Sequence, residues 1–108
     1  MSFLSQLGGM FTKGGRDDAL LLKGIEQAKD KHPEQAIESY NQLLKSPATS
    51  DSTRARALFN RALAYSAIND DEHALADLEA VLKLPNLPEN VQSAARSRIA
   101  RVKKRNES

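Results

Sequence analysis

The chain has 108 residues, 40% hydrophobic and 28% charged, with a formal net charge of +2 and no cysteine. That length suits one domain with one small core, and the composition is too apolar for global disorder. No apolar run approaches the ~18 residues of a transmembrane segment, and there is no material for a disulfide framework, a thiolate metal site or a cysteine nucleophile. The default location is cytoplasmic. Residues 1–95 hold 10 basic and 13 acidic side chains while residues 96–108 hold 6 and 1, so the positive charge belongs to the C-terminal end.

Residues 1–16 read as a flexible N-terminal segment. Phe3, Leu4, Leu7, Met10 and Phe11 fall on one helical face that Gly8 and Gly9 weaken, and Gly14 with Gly15 forms a joint. The stretch lacks the basic start of a secretory signal. It is either an ordinary frayed chain end or, with "FLSQLGGMF" folded back, a lid or dimer contact for the surface that follows.

Residues 17–105 read as a helical domain. "LLKGIEQAKDKHPEQAIESYNQLLKSP" is echoed by "FNRALAYSAINDDEHALADLEAVLKLP" at an offset of 38, which sets Gly24 on Ala62, Ala36 on Ala74, Tyr40 on Leu78, Leu43 on Val81 and Pro47 on Pro85. Leu20, Gly24 and Gln27 share one helical face, as do Ala36, Tyr40, Leu43 and Leu44; the second unit repeats this with Leu58, Ala62 and Tyr65, then Ala74, Leu78, Val81 and Leu82. Pro33 suits a first helical turn, and Asp70, Asp71 and Glu72 suit a helix N-terminus. The expected helices span about 17–30, 33–45, 53–68 and 71–84, joined between units by the polar link "SPATSDST". Gly24 costs ~1 kcal/mol of helix propensity relative to alanine, which close helix packing would offset. After Pro85, Asn86 and Glu89 have capping-box spacing, and Val91, Ala95, Ile99 and Val102 draw a narrow apolar stripe over about 87–105. This is the fifth helix, with the one-sided polarity that the end of a helical stack requires.

On these residues the chain resembles the tetratricopeptide repeat family: Leu20, Gly24, Ala36, Tyr40 and Pro47 supply the motif in the first unit, and Leu58, Ala62, Tyr65, Ala74, Leu78 and Pro85 supply it in the second. Departures are Lys23 and Arg61 in place of leucine, Gln27 in place of tyrosine, and the longer link. The resemblance implies an all-α fragment of an α-solenoid, with antiparallel helix-turn-helix repeats at about 17–47 and 55–85 plus a capping helix. It further implies a concave groove for partner peptides on the first helices, presenting Asp18, Leu21, Ile25 and Ala28, then Arg56, Phe59, Asn60 and Leu63. Leu21, Ile25, Phe59 and Leu63 would supply apolar contact, with Arg56 and Asn60 orienting the partner. Some members grip the terminal carboxylates of chaperone tails; Asn60 matches that clamp, but Leu21 and Ile25 replace its first pair, so such tails are not expected. A plainer alternative makes the four apolar residues core.

Catalytic and metal chemistry find no set of residues. His32 and His73 each stand alone at a helix start, the Asp70–Glu72 run is explained by the helix dipole, and "GGMFTKGG" has no preceding strand to make a phosphate loop. The expected function is a non-catalytic protein–protein interaction module that takes a protein or peptide and no cofactor, gated by its own N-terminal segment. One rival is a self-associating scaffold, a homo-oligomer. Another is a weak binder of RNA or an acidic surface through Arg96, Arg98, Arg101, Lys103, Lys104 and Arg105; nucleic acid is disfavoured, because that stretch has no aromatic side chain for stacking and cations suit a helix C-terminus.

Overall fold

The computed structural model describes residues 15–107. The apolar set Phe3, Leu4, Leu7, Met10 and Phe11, expected to act as a lid or dimer contact, lies outside the described residues. Gly15, read as half of a joint, is the first residue of α1. Five helices follow in order: α1 (Gly15–Lys29), α2 (Pro33–Leu44), α3 (Asp51–Ala67), α4 (Asp71–Lys83) and α5 (Glu89–Glu107). Each packs against the next, and α1 also reaches α3, so two antiparallel hairpins stack side by side and α5 lies against α4.

The ends of the helices show why the chain turns where it does. Pro33 opens α2 from an N-cap at His32 whose side chain makes no capping bond. At α3 the Ser50 hydroxyl accepts from the Thr53 N–H at 3.2 Å, and at α4 the Asp70 carboxylate accepts from the His73 N–H at 3.2 Å. Both first helices finish alike: Lys31 (φ 66°) and Asn69 (φ 64°) take the left-handed conformation. The following N–H groups, of His32 and Asp70, then bond back to the carbonyls of Gln27 and Tyr65, each at 2.9 Å. These pairs are 38 residues apart, so the sequence repeat is also a backbone repeat.

Two apolar clusters form the core. Leu21, Ala36, Ile37, Tyr40, Leu43, Ala57 and Ala64 join the first hairpin to α3. Ala55, Leu58, Ala62, Ala74, Leu78, Val81, Leu87 and Ala95 join the second hairpin to α5. Gly24 lies flat against the Tyr40 ring, where an added Cβ would stand 2.7 Å from Cζ and 2.8 Å from Cδ1. The repeat thus alternates sizes: glycine under tyrosine in the first hairpin, alanine with leucine in the second.

The link between hairpins is tied down. Thr49 Oγ1 donates to Asp17 Oδ2 at 2.6 Å, which satisfies a carboxylate buried at the start of α1, and Arg54 donates to the carbonyls of Leu44 and Ser46 at 3.4 and 2.9 Å. At the other junction the expected capping box does not form. Asn86 instead takes the left-handed region (φ 61°), and α5 begins at Glu89, where the Pro88 carbonyl accepts from the N–H groups of Val91 and Gln92. Burial of Leu87 in the second cluster fixes that entry, with Gln92 Nε2 donating to its carbonyl at 2.9 Å.

Candidate functional site: the concave face of the odd-numbered helices

Helices α1, α3 and α5 share one side of the stack, and clefts open between them. The first cleft is lined by Asp18, Leu21, Leu22, Ile25 and Arg56; the second by Ala55, Arg56, Phe59, Asn60, Asn90, Val91 and Ala94. Arg56 borders both, making them one continuous surface. Of the residues expected at a groove, Leu21, Ile25, Arg56, Phe59 and Asn60 are brought together here. Leu63 is set apart, in a separate hollow with Ala28, Lys31, Pro33, Ala64 and Ala67.

Their exposures differ in a way that matters. Leu21 is only 4% accessible and belongs to the first core cluster, so it forms floor rather than contact surface. Ile25 and Phe59 are half-buried and pack on the two clusters with one flank each. Leu22, at 59%, is the most exposed large apolar side chain among the described residues. Sequence reasoning passed over Leu22 because it falls outside the repeat motif; it also missed Asn90, Val91 and Ala94, which enter only once α5 is seen to wall the second cleft. Asn60 donates through Nδ2 to the Arg56 carbonyl at 2.8 Å, which commits one of its two N–H groups.

The stack's N-terminal end is polar. Ala57, Arg61 and Ala64 sit on the α3 face turned to the first hairpin, with both alanines in its core cluster. Their counterparts 38 residues earlier are Ala19, Lys23 and Glu26, all exposed. At the far end α5 turns Val91, Ala95, Ile99 and Val102 inward, with Ala95 and Val102 fully covered.

Residues 55–86 match the family model of the tetratricopeptide repeat. The second hairpin is thus similar to a tetratricopeptide repeat. No curated protein and no solved structure matches the chain. Tetratricopeptide repeats build protein-interaction surfaces and are generally non-catalytic, so the match suggests a protein–protein interaction module.

Departures from the tetratricopeptide pattern have visible partners. Arg61, where the family favours leucine, forks onto Asp77 at 2.8 and 2.7 Å, donates to Asn41 Oδ1 at 2.8 Å and lies 5.7 Å from the Tyr65 ring centroid. It therefore ties α3 to α4 and α2 through a carboxylate that is 5% accessible. The Asp77 hydrogen bond holds the guanidinium above its ordinary pKa. Gln27, where the family favours tyrosine, accepts from the Ser39 hydroxyl at 2.7 Å; Ser39 and Asp77 are the same position of the two hairpins.

Several of the ionisable residues expected at or near helix ends are engaged, though His32 makes no capping bond. His73 is exposed, stacks on Tyr65 with centroids 5.0 Å apart and meets Asp70 at 2.8 Å. That hydrogen bond raises the histidine's pKa and lowers the aspartate's. Asp71 pairs with Arg105, and Glu89 with Arg96 at 3.0 Å. The basic end of α5 is thus partly neutralised from within: Arg96 and Arg105 are paired and Lys104 has a partner, while Arg98 and Arg101 make no ion pair among the described residues. Among the described residues no group of histidines and carboxylates could hold a metal ion, and no helix is long and apolar enough to cross a membrane.

Proposed function

We propose that the chain is a compact interaction module that seats a partner peptide or helix along the concave face of α1, α3 and α5, in a cytoplasmic setting. Leu22, Ile25 and Phe59 make the apolar contact, and Arg56 with Asn60 sets the partner's register. The observation that carries this reading is where unburied apolar surface lies. Leu22, the most exposed large apolar side chain among the described residues, and the half-buried Ile25, Phe59 and Val91 line the clefts. Ile68 is the one other exposed large apolar residue among those described, and the end of the stack presents Ala19, Lys23 and Glu26. Apolar area concentrated in a concavity marks a binding surface. The polar N-terminal end disfavours end-to-end self-association, and the absence of an aromatic side chain from residues 96–105 disfavours the C-terminal helix as a nucleic-acid-binding arm. Residues 3–11 carry apolar side chains of the kind the clefts accept and act as a competing occupant, which gates the module.

Peptides selected from a random display library provide the test. A selected peptide should bind Leu22→Asp and Phe59→Ala at least about tenfold more weakly than the unaltered chain, a difference of ~1.4 kcal/mol, with unfolding curves showing that both variants stay folded. Deleting residues 1–14 should tighten binding. Equal affinity for the unaltered chain and both folded variants would overturn the concave face as the site.

A further inference from the structure

Resting on that reading of the concave face, we infer that the cleft between α3 and α5 takes an acidic peptide. One large apolar side chain sits among Phe59, Val91 and Ala94, and aspartates or glutamates of the partner meet Arg56, Arg98 and Arg101. The cleft holds about 190 Å³. An apolar cavity of ~150 Å³ accepts a benzene ring, so one leucine or phenylalanine side chain fits.

Three arginines at or near this cleft make no ion pair among the described residues. Asn90 and Ala94 line it, and Arg98 and Arg101 follow Ala94 by four and seven residues, the spacing that keeps side chains on one helical face. They stand ~6 and ~10 Å further along the axis. Arg56 borders the opposite wall and is exposed. No ion pair engages any of these three among the described residues, whereas Arg61, Arg96 and Arg105 are held by Asp77, Glu89 and Asp71. No carboxylate lines the cleft, and residues 1–14 contain no aspartate or glutamate that could neutralise it from within.

Uncompensated guanidiniums beside a low-dielectric cleft focus a positive potential, and their planar forks match carboxylates in bidentate pairs. A peptide suits the site better than single-stranded nucleic acid. Bases need open aromatic faces, and Phe59, the one aromatic lining residue, is half-buried against the second core cluster. The neighbouring cleft is balanced in charge, since Asp18 and Arg56 both line it. A partner running along the whole face would therefore keep its acidic part over α5 and its uncharged part over α1.

The experiment uses fluorescence anisotropy on the full chain. The probes are labelled synthetic dodecapeptides sharing one leucine or phenylalanine anchor, flanked by glutamates, glutamines or lysines, and a single-stranded RNA of matched length. Glutamate peptides should bind at least about tenfold tighter than glutamine peptides, with lysine peptides weakest. Arg101→Glu, at an exposed position outside the cleft lining, should remove most of that preference without weakening the glutamine peptides; added salt should do the same. Equal binding of glutamate and glutamine peptides overturns the acidic partner yet leaves the concave face as a binding site. Tighter binding of the RNA than of every peptide overturns it in favour of nucleic acid. Failure of all dodecapeptides overturns it too, and only a display library that also yields no binder would remove the underlying reading with it.

Discussion

Between Gly24 and Tyr40 there is no room for a methyl group, since a Cβ at position 24 would stand 2.7 Å from the ring's Cζ. Gly24→Ala gains ~1 kcal/mol of helix propensity but overpacks a core contact, which typically costs ~1–3 kcal/mol. The expected outcome in urea denaturation is net destabilisation. Adding Tyr40→Leu should return much of the loss, because the pair then copies Ala62 and Leu78 of the second hairpin. Tyr40 also bears a buried hydroxyl with no partner among the described residues, and burial pushes its pKa up to about 12. At the surface, the Asp70–His73 pair makes stability pH-dependent in two directions. His73 titrates above its ordinary 6.5 because the Asp70 hydrogen bond and charge favour its protonated form, with Glu72 and Asp77 adding to the field. Its contribution is full below 6.5 and is lost as pH rises through the raised value. Asp70, lowered from 3.8 by the same bond, contributes above that value and loses its contribution as pH falls through the lowered one. An NMR titration should place the His73 midpoint above 6.5, and Asp70→Asn should lower it.

At the scale of the helices, periodicity and turn residues in the sequence carried most of the architecture. Pro33 and Asp71 mark two helix starts as expected, and the Val91, Ala95, Ile99 and Val102 stripe does face inward. Asn86 misled because capping-box spacing is a local pattern, while the entry of α5 is set by the non-local burial of Leu87. The link "SPATSDST" looked like a passive connection; its bond from Thr49 to Asp17 spans 32 residues, a distance at which no sequence spacing speaks. Arg61 looked like a departure from a family pattern, and its reason is visible only with Asp77 beside it. That pair predicts an asymmetric result. Arg61→Leu alone leaves a nearly inaccessible carboxylate unpaired and should cost ~3 kcal/mol or more in chemical denaturation, although it restores the family's preferred residue. Arg61→Leu combined with Asp77→Ala should be much less damaging, as buried ion pairs are often replaced by apolar residues at little net cost. Additive losses would show that the pair is not coupled.

At the scale of the whole molecule, two hairpins and a further helix form a stack with clefts between α1 and α3 and between α3 and α5. That α1 and α3 lie side by side was legible from the repeat, because helices that follow one another at a common offset place equivalent residues next to each other. Which residues line the clefts was legible only in part. Leu21 was expected at the surface and is 4% accessible, whereas its neighbour Leu22, one helical step of 100° away, carries the exposure. The α5 wall was missed because a capping helix has no counterpart in the repeat against which to read it. The most direct measurement of whether this face binds partners is a backbone NMR titration of the labelled chain with a library-selected peptide. Perturbations should concentrate at Leu22, Ile25, Arg56, Phe59, Asn60, Asn90 and Ala94, leaving exposed positions of α2 and α4 such as Glu38 and Glu79 unmoved. Perturbations centred on α2 and α4, with the concave residues unmoved, would contradict the assignment of the binding surface.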